Sequence, residues 1–270
     1  VKSDLYGFKY SDIDMLLCFN QSEKKNFEEI DPKVFVRPIS SVQEAKKPRF
    51  NKFKRFFIKK KLKIKDEINV FYVSLSWPLN NRTTYKTRSF DEKIYNFDKK
   101  MINLLSSINK RAIYKNYPRR NYIDTNPIDD YAKKFENIKV IKGNYDFRYI
   151  NTLGDLFIIS NVGQASTITW MINLGKPIIY LYTNKSDFLN TQAIDLVKKF
   201  FIFIDTDHYG WESDLKNILN KPYSELKKMW KDKQLYIDKY EEEWLTGKNL
   251  HAGKLGAKYI KELILQNTKK

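Results

Sequence analysis

A doubly wound parallel sheet of the α/β class is the fold this sequence predicts, and three observations carry it. Short apolar runs of strand length alternate with amphipathic stretches of helix length from Ile68 onward. Residues 155–183 read as one complete unit: an apolar run (156–159), a turn (161–164), a helix (165–174) stopped by Gly175, and a second run (178–182) opened by Pro177. Finally, the strand ends carry hydroxyls, amides and cations, as expected where strands of an open parallel sheet stop at a ligand crevice.

The elements follow in order. Residues 13–19 form an apolar run, a helix starts at Ser22, and residues 33–37 form a second strand closed by Pro38. This fragment is too small to hold a core alone and reads as the remnant of a preceding α/β domain, residues 1–45. Residues 46–65 hold eleven Lys or Arg in twenty positions, interleaved with Phe50, Phe53, Phe56 and Phe57. They form either a solvated basic linker or a surface that lies on anionic lipid headgroups. A Rossmann-like domain is expected over 66–221. It has strands at 69–76, 111–117, 138–141, 156–159, 178–182 and 200–204, with all but 138–141 expected to be parallel neighbours. Helices are expected at 90–109, 126–135, 145–152, 165–174, 183–198 and 212–220. Asn126-Pro127 places proline at the favoured first helical position. Residues 222–270 form a C-terminal helical segment broken near 247–253. Its aromatic stripe Trp230, Tyr236, Tyr240 and Trp244 reads as packing surface.

Composition bounds the function. With 42% hydrophobic and 15% aromatic residues in 270, the chain buries a full core, and it is not of the disordered class. No apolar stretch reaches the roughly 20 residues of a spanning helix, so a cytoplasmic protein, soluble or peripheral on the inner membrane face, is expected. The single cysteine, Cys18, excludes an internal disulfide and fits a reducing compartment. Val1 rather than Met opens the chain and the first segment already reads as mid-domain, so a piece of something longer is expected. Fifty Lys and Arg against 32 Asp and Glu give +18, which suits an anionic partner: nucleotide, anionic membrane or nucleic acid. Part of that excess is what an AT-rich genome writes at permissive positions. No helix-turn-helix, zinc-finger spacing or aromatic RNA-binding pattern supports a nucleic-acid partner.

The candidate chemistry sits at the strand ends: Ser76, Lys115 with Arg119, and the turn carrying Asn161, Gly163, Gln164, Ser166 and Thr167. Residues 156–186 contain no Asp or Glu, and carboxylates are expected to be missing from this rim. Such a site binds an anion electrostatically and does little acid–base work. At the turn, Gly163 either only shapes the loop, with Ser166 or Thr167 capping the helix, or these groups contact a phosphate. Asp205-Thr206-Asp207 has the spacing of a metal-binding Asp-x-Asp, which could hold Mg²⁺, or is a solvated strand-end loop. Two histidines, His208 and His251, and one cysteine make no zinc set. No nucleophile-elbow or Walker pattern is present, and no cofactor is expected.

Ser160-Asn161-Val162-Gly163-Gln164-Ala165-Ser166-Thr167 followed by Leu174-Gly175-Lys176-Pro177-Ile178-Ile179 resembles the C-terminal, nucleotide-binding half of GT-B glycosyltransferases. The likeness is in particular to bacterial enzymes that build capsule or lipopolysaccharide and to the related CDP-glycerol glycerophosphotransferases. The strand 113–117 ending in Pro118-Arg119, and the closing segment 238–264 with Trp244, Gly247 and Gly253, are similar to the family as well. The likeness spans residues 66–267. It implies a nucleotide-sugar donor whose phosphates meet Asn161, Gly163, Gln164, Ser166 and Thr167, with Lys115, Arg119 and Ser76 in support, and a glycan or lipid-linked acceptor. Many members place a Glu five residues before the helix-ending glycine to hold the ribose; this chain has Trp170. The family's catalytic base comes from the other half. Three alternatives stay open: a CDP-polyol phosphotransferase, a sugar- or nucleotide-binding scaffold without catalysis, and a nucleotide-sugar epimerase, for which carboxylate or histidine pairs are missing.

Overall fold

The computed structural model describes residues 13–39, 52–65, 67–74, 91–116, 127–141, 145–160, 167–183, 191–244 and 251–267. In chain order the elements begin with β1 (Met15–Cys18), α1 (Gln21–Ile30), β2 (Phe35–Pro38), α2 (Lys52–Leu62), β3 (Asn69–Val73), α3 (Asp91–Ser106) and β4 (Arg111–Lys115). Next come α4 (Pro127–Ala132), β5 (Ile138–Ile141), α5 (Phe147–Ile150), a 3-10 turn (Asn151–Leu153), β6 (Leu156–Ser160), α6 (Thr167–Ile172) and β7 (Ile178–Tyr182). The chain continues through α7 (Thr191–Phe200), β8 (Ile202–Asp205), α8 (Trp211–Asn220), α9 (Tyr223–Trp244) and α10 (Ala252–Asn267). Two compact units result, Val1–Arg49 with Leu235–Lys270, and Phe50–Gln234.

The larger unit holds a six-stranded sheet in the order β5-β4-β3-β6-β7-β8, every neighbouring pair parallel. The five expected strands are therefore parallel partners, with β5 added outside β4. β3, β6 and β7 are buried at every position, which is why their sequences read as continuous apolar runs rather than alternating ones. Side chains still divide between two faces with period two. Val70 and Tyr72, Ala112 and Tyr114, Leu156 and Ile158, and Ile179 and Leu181 share one core with Met101, Leu105, Ile128, Leu215 and Leu219 of the helices. On the other face Phe71, Phe147 and Phe157 pack ring against ring, their centroids 5.5 to 6.3 Å apart.

Several boundaries move, each for a local reason. Phe200, expected to open β8, instead ends α7: Phe201 N–H still bonds Val197 O, and the Phe201 ring stacks on Tyr180 at 5.4 Å. The helix expected at 145–152 is one α-turn completed by the 3-10 turn and started by Asp146, whose carboxylate accepts the Arg148 N–H. Residues 46–65 are not all linker, because Lys52–Leu62 is helical and belongs to the larger unit. α2 is fastened to the amino end of the sheet by Arg55, whose guanidinium bonds both oxygens of Asp155. Asp155 also accepts the Asn69 N–H at 3.1 Å, and Lys176 Nζ stands 3.6 Å from it.

In the smaller unit β1 and β2 pair in parallel. α1 starts one residue earlier than expected because Asn20, not Ser22, caps it: Asn20 Oδ1 accepts the Glu23 N–H while Glu23 Oε2 accepts the Phe19 N–H. That reciprocal pair satisfies two end donors at once. α10 approaches β1 closely at Gly256, where a Cβ would stand 3.3 Å from Leu17 Cδ1. α9 ends at Trp244 and α10 begins at Ala252; most of the break expected near 247–253 lies outside the described residues. Of the expected aromatic stripe, Trp230 is buried and stacked on Phe201, but Tyr236 is exposed; the side chains of Tyr240 and Trp244 lie outside the described set.

Candidate functional site

The chain lays down β3 first, adds β4 and β5 to one side, then returns to add β6, β7 and β8 to the other. Strand order therefore reverses between β3 and β6, and in open parallel sheets such a reversal places the ligand crevice at the carboxyl ends of those two strands. Ser74, the residue after β3, and Ser160, the last of β6, flank this crevice, and both are buried.

One strand further out, β4 ends in Lys115. It is 3% exposed, and its ammonium donates to Asn116 O at 2.9 Å. Burial pushes this ammonium down to about 8, while the Asp146 and Asp129 carboxylates act in the opposite direction. At neutral pH it is therefore a cation held in a place of low polarity, where its charge acts strongly on whatever enters. Asn116, next in the chain, donates from Nδ2 to Asp129 Oδ2 at 3.3 Å.

The expectation that carboxylates are missing from this rim is corrected by the structure. They arrive from helices rather than from the strand ends. Asp98, on the inward face of α3, is fully buried and accepts Ser74 Oγ–H at 2.6 Å and Tyr72 Oη–H at 2.5 Å. Burial first, and then the Asp98 charge, hold the Tyr72 phenol well above its ordinary pKa, so it stays a donor. Asp129 comes from α4, and Asp146 caps α5. Hydrogen bonds from Arg148 hold the Asp146 carboxyl below its usual range. In the sequence Asp98 stands three residues before Met101, at a helical position that faces the core rather than at a strand end. Asp146 stood in the Asp-x-Arg pattern of a capped helix start.

Thr167 is the first residue of α6, and its hydroxyl oxygen is buried with no hydrogen-bond partner among the described residues. The capping alternative therefore has no bond to show at Thr167. Trp170, where the resemblance leads one to look for a ribose-binding carboxylate, stacks on Phe147 at 6.2 Å and 16° and lies 5.5 Å beneath the Arg148 guanidinium. Its indole is thus in contact with a ring and a cation. Asn161, Gly163, Gln164, Ser166, Arg119 and Ser76 lie outside the described residues.

Asp205-Thr206-Asp207 closes on itself at the end of β8. Asp205 Oδ1 accepts the Asp207 N–H, Asp207 Oδ1 accepts Thr183 Oγ–H, and Thr206 Oγ–H bonds Tyr182 O. No group of three or more metal-ligating residues occurs among the described residues. A cleft of about 430 Å³ between α3 and α8, lined by Lys100, Asn103, Glu212 and Lys216, includes none of the strand-end residues and is crossed by the Lys100–Glu212 ion pair at 3.2 Å.

No protein-family model and no curated protein sequence matches the chain. Solved structures do. A glycosyltransferase from Rickettsia africae superposes with a TM-score of 0.56 at 12% identity, covering 97% of this chain and 68% of that one. A sucrose-phosphate synthase from Thermosynechococcus elongatus gives 0.53 at 11%, covering 98% and 63%. HepE from Anabaena, in complex with UDP and glucose, gives 0.52 at 11%, covering 97% and 68%. The chain thus spans roughly two thirds of the length of these structures. At such identities the likeness is one of fold: the chain has the Rossmann-like, GT-B glycosyltransferase fold.

Proposed function

We propose that this chain is the donor-binding part of a GT-B glycosyltransferase and takes a nucleotide-activated sugar in the crevice at the carboxyl ends of β3 and β6. The observation that carries the reading is that the same end of the sheet holds a buried cation, Lys115 ending β4, and a buried hydroxyl without a hydrogen-bond partner among the described residues, Thr167 opening α6. A diphosphate is the ligand such a rim serves. The ammonium offsets its charge and the hydroxyl donates to it. Charge then builds on the diphosphate as the sugar departs. A fixed cation in a poorly polarisable setting stabilises that charge without reorganising, so Lys115 favours the leaving group electrostatically. Asn161, Gly163, Gln164, Ser166, Arg119 and Ser76 are the remaining proposed donor contacts. HepE, which shares the fold, has UDP and glucose bound in its structure, in line with a donor of this class.

By the family resemblance, the acceptor is a bacterial surface glycan or its lipid-linked precursor, and the work is done at the inner face of the cytoplasmic membrane. No cofactor enters this reading; Asp205 Oδ1 accepts the Asp207 N–H, and Asp207 Oδ1 accepts the Thr183 hydroxyl. One observation favours a second reading, a nucleotide- or sugar-binding module without transfer: Trp170 stands at the ribose-carboxylate position and packs on Phe147 and under Arg148. The two readings part under a thermal-shift panel of nucleotides and nucleotide sugars followed by a donor-hydrolysis assay on the best binder. At 100 times its dissociation constant a ligand adds about 2.7 kcal/mol. A shift with slow hydrolysis of the sugar nucleotide supports the transferase, whereas a shift by the free sugar or nucleotide alone with no hydrolysis supports the module.

A further inference from the structure

α2 presents two opposite faces. Arg55 and Lys59, one turn apart, point inward: Arg55 is bound to Asp155, and Lys59 is only 5% exposed. On the outer side Phe56 and Phe57 are each 63% exposed and meet edge to face, with ring centroids 6.0 Å apart. Lys60 and Lys61 follow one turn on, and Lys63 and Lys65 continue the exposed stripe. Among the described residues of the larger unit the other large exposed apolar side chains are Tyr149 and Tyr209, both tipped by a hydroxyl and standing apart. The phenylalanines are thus the wholly apolar pair on that surface, and residues 46–65 contain no Asp or Glu. The helix also ends in an unusual way. Ile64 N–H reaches back to Lys59 O, which sets Lys63 at φ +53, a left-handed position that favours glycine; a lysine there adds a further cation to the patch.

The geometry points to α2 as a docking helix for an anionic lipid bilayer, with Phe56 and Phe57 entering the headgroup–acyl boundary and Lys60, Lys61, Lys63 and Lys65 on the headgroup phosphates. Charge complementarity selects this occupant, since a segment with four exposed cations and no carboxylate of its own repels a basic partner. The paired rings select a bilayer over free phosphate, because phenylalanine has nothing to offer an ion but much to gain from an acyl boundary. No helix among the described residues is long and apolar enough to span a membrane, so attachment is by a surface. α2 is suited to transmit it: its inner face is fixed to the amino end of the sheet, while the donor crevice opens at the carboxyl end. The proposal names the surface by which the membrane location given above would be reached. Its failure would leave the donor reading intact, since vesicle binding and nucleotide binding are measured separately.

The test is co-sedimentation of the full chain with phosphatidylcholine vesicles and with vesicles of phosphatidylcholine and phosphatidylglycerol. The expected result is binding to the anionic vesicles alone, weakened by salt. A variant with Lys60, Lys61, Lys63 and Lys65 all changed to Gln should lose on the order of a hundredfold or more in partitioning, at roughly fivefold per cation near the surface. Phe56→Ser with Phe57→Ser should lose on the order of tenfold or more, as buried aromatic area is removed. A control with the same charge change elsewhere, Lys134, Lys216, Lys228 and Lys231 to Gln, should lose far less, with the thermal melts of all variants showing that they fold. Equal loss in the control would overturn the proposal, since binding would then follow net charge. So would equal binding to neutral vesicles, no vesicle binding at all, or retention on single-stranded RNA abolished by the same α2 changes without any vesicle binding.

Discussion

Arg55 Nη2 lies 2.8 Å from Asp155 Oδ1 and 2.9 Å from Oδ2, across a hundred residues of chain. Both side chains are largely buried, and the carboxylate also receives the Asn69 N–H at the first residue of β3. This pair fixes α2 to the sheet. Arg55→Ala should lower unfolding stability by about 3 kcal/mol, because it takes the bidentate partner from a buried carboxylate and leaves it the Asn69 N–H and the more distant Lys176 ammonium. Urea denaturation measures it, and a loss under about 0.5 kcal/mol, the scale of an ordinary surface change, would show the pair to be incidental.

Asp98 accepts two buried hydroxyls, from Tyr72 and Ser74, at the end of β3. Asp98→Ala should cost on the order of 3 kcal/mol, since each hydroxyl left without an acceptor carries its own desolvation penalty. Tyr72→Phe should cost less, because the ring stays packed against Tyr114 and only one bond to a charged group is lost. Denaturation curves that rank the two in the opposite order would contradict this assignment.

Two glycine substitutions should act with opposite signs. A Cβ on Gly154 would stand 2.8 Å from Phe157 Cε1 and 2.8 Å from Phe71 Cβ, so Gly154→Ala should destabilise by about 1–3 kcal/mol through overpacking. At Gly253, in α10, nothing lies within 4 Å, and alanine there should stabilise by up to about 1 kcal/mol through helix propensity. Paired thermal melts check both signs.

The strands were legible because burial on both faces turned each into a short, continuous apolar run. Their ends were less so: Phe200 closes α7 through the Phe201 N–H bond to Val197 O, and it is Phe201 that meets the ring of Tyr180, which only the sheet brings near. Arg55 read as one more cation in a basic tract, for its partner lies a hundred positions on. At the rim, Lys115 and Thr167 could be picked as polar residues ending or following apolar runs. Asp98 could not be picked that way, since a carboxylate among helical apolar positions becomes a site residue only when Tyr72 and Ser74 arrive beside it.

The pH dependence of donor binding follows from Lys115. Its ammonium is pushed down to about 8 by burial, below the ordinary lysine value, and a bound phosphate favours its charged form. Donor affinity should therefore hold below pH 8 and fall as pH rises through it, by up to tenfold per unit. The sign for stability is the reverse. The folded chain gives up this proton more readily than the unfolded chain, so the penalty of burying the charge is present below pH 8 and relieved between about 8 and the ordinary lysine value of roughly 10.4. Titrations of the best nucleotide at several pH values check the first, and urea midpoints over the same range check the second.

The most direct test of the account is calorimetric titration of Lys115→Met and Thr167→Ala with the best nucleotide from the panel, each beside its denaturation curve. Lys115→Met should weaken binding while raising fold stability, since it removes a buried charge and leaves an apolar side chain of similar length. Thr167→Ala should weaken binding by on the order of 1–3 kcal/mol, the size of a hydrogen bond to a charged group, with stability little changed because its hydroxyl bonds nothing in the described structure. Unchanged affinity in both variants would place the donor elsewhere and contradict the assignment of the crevice between β3 and β6.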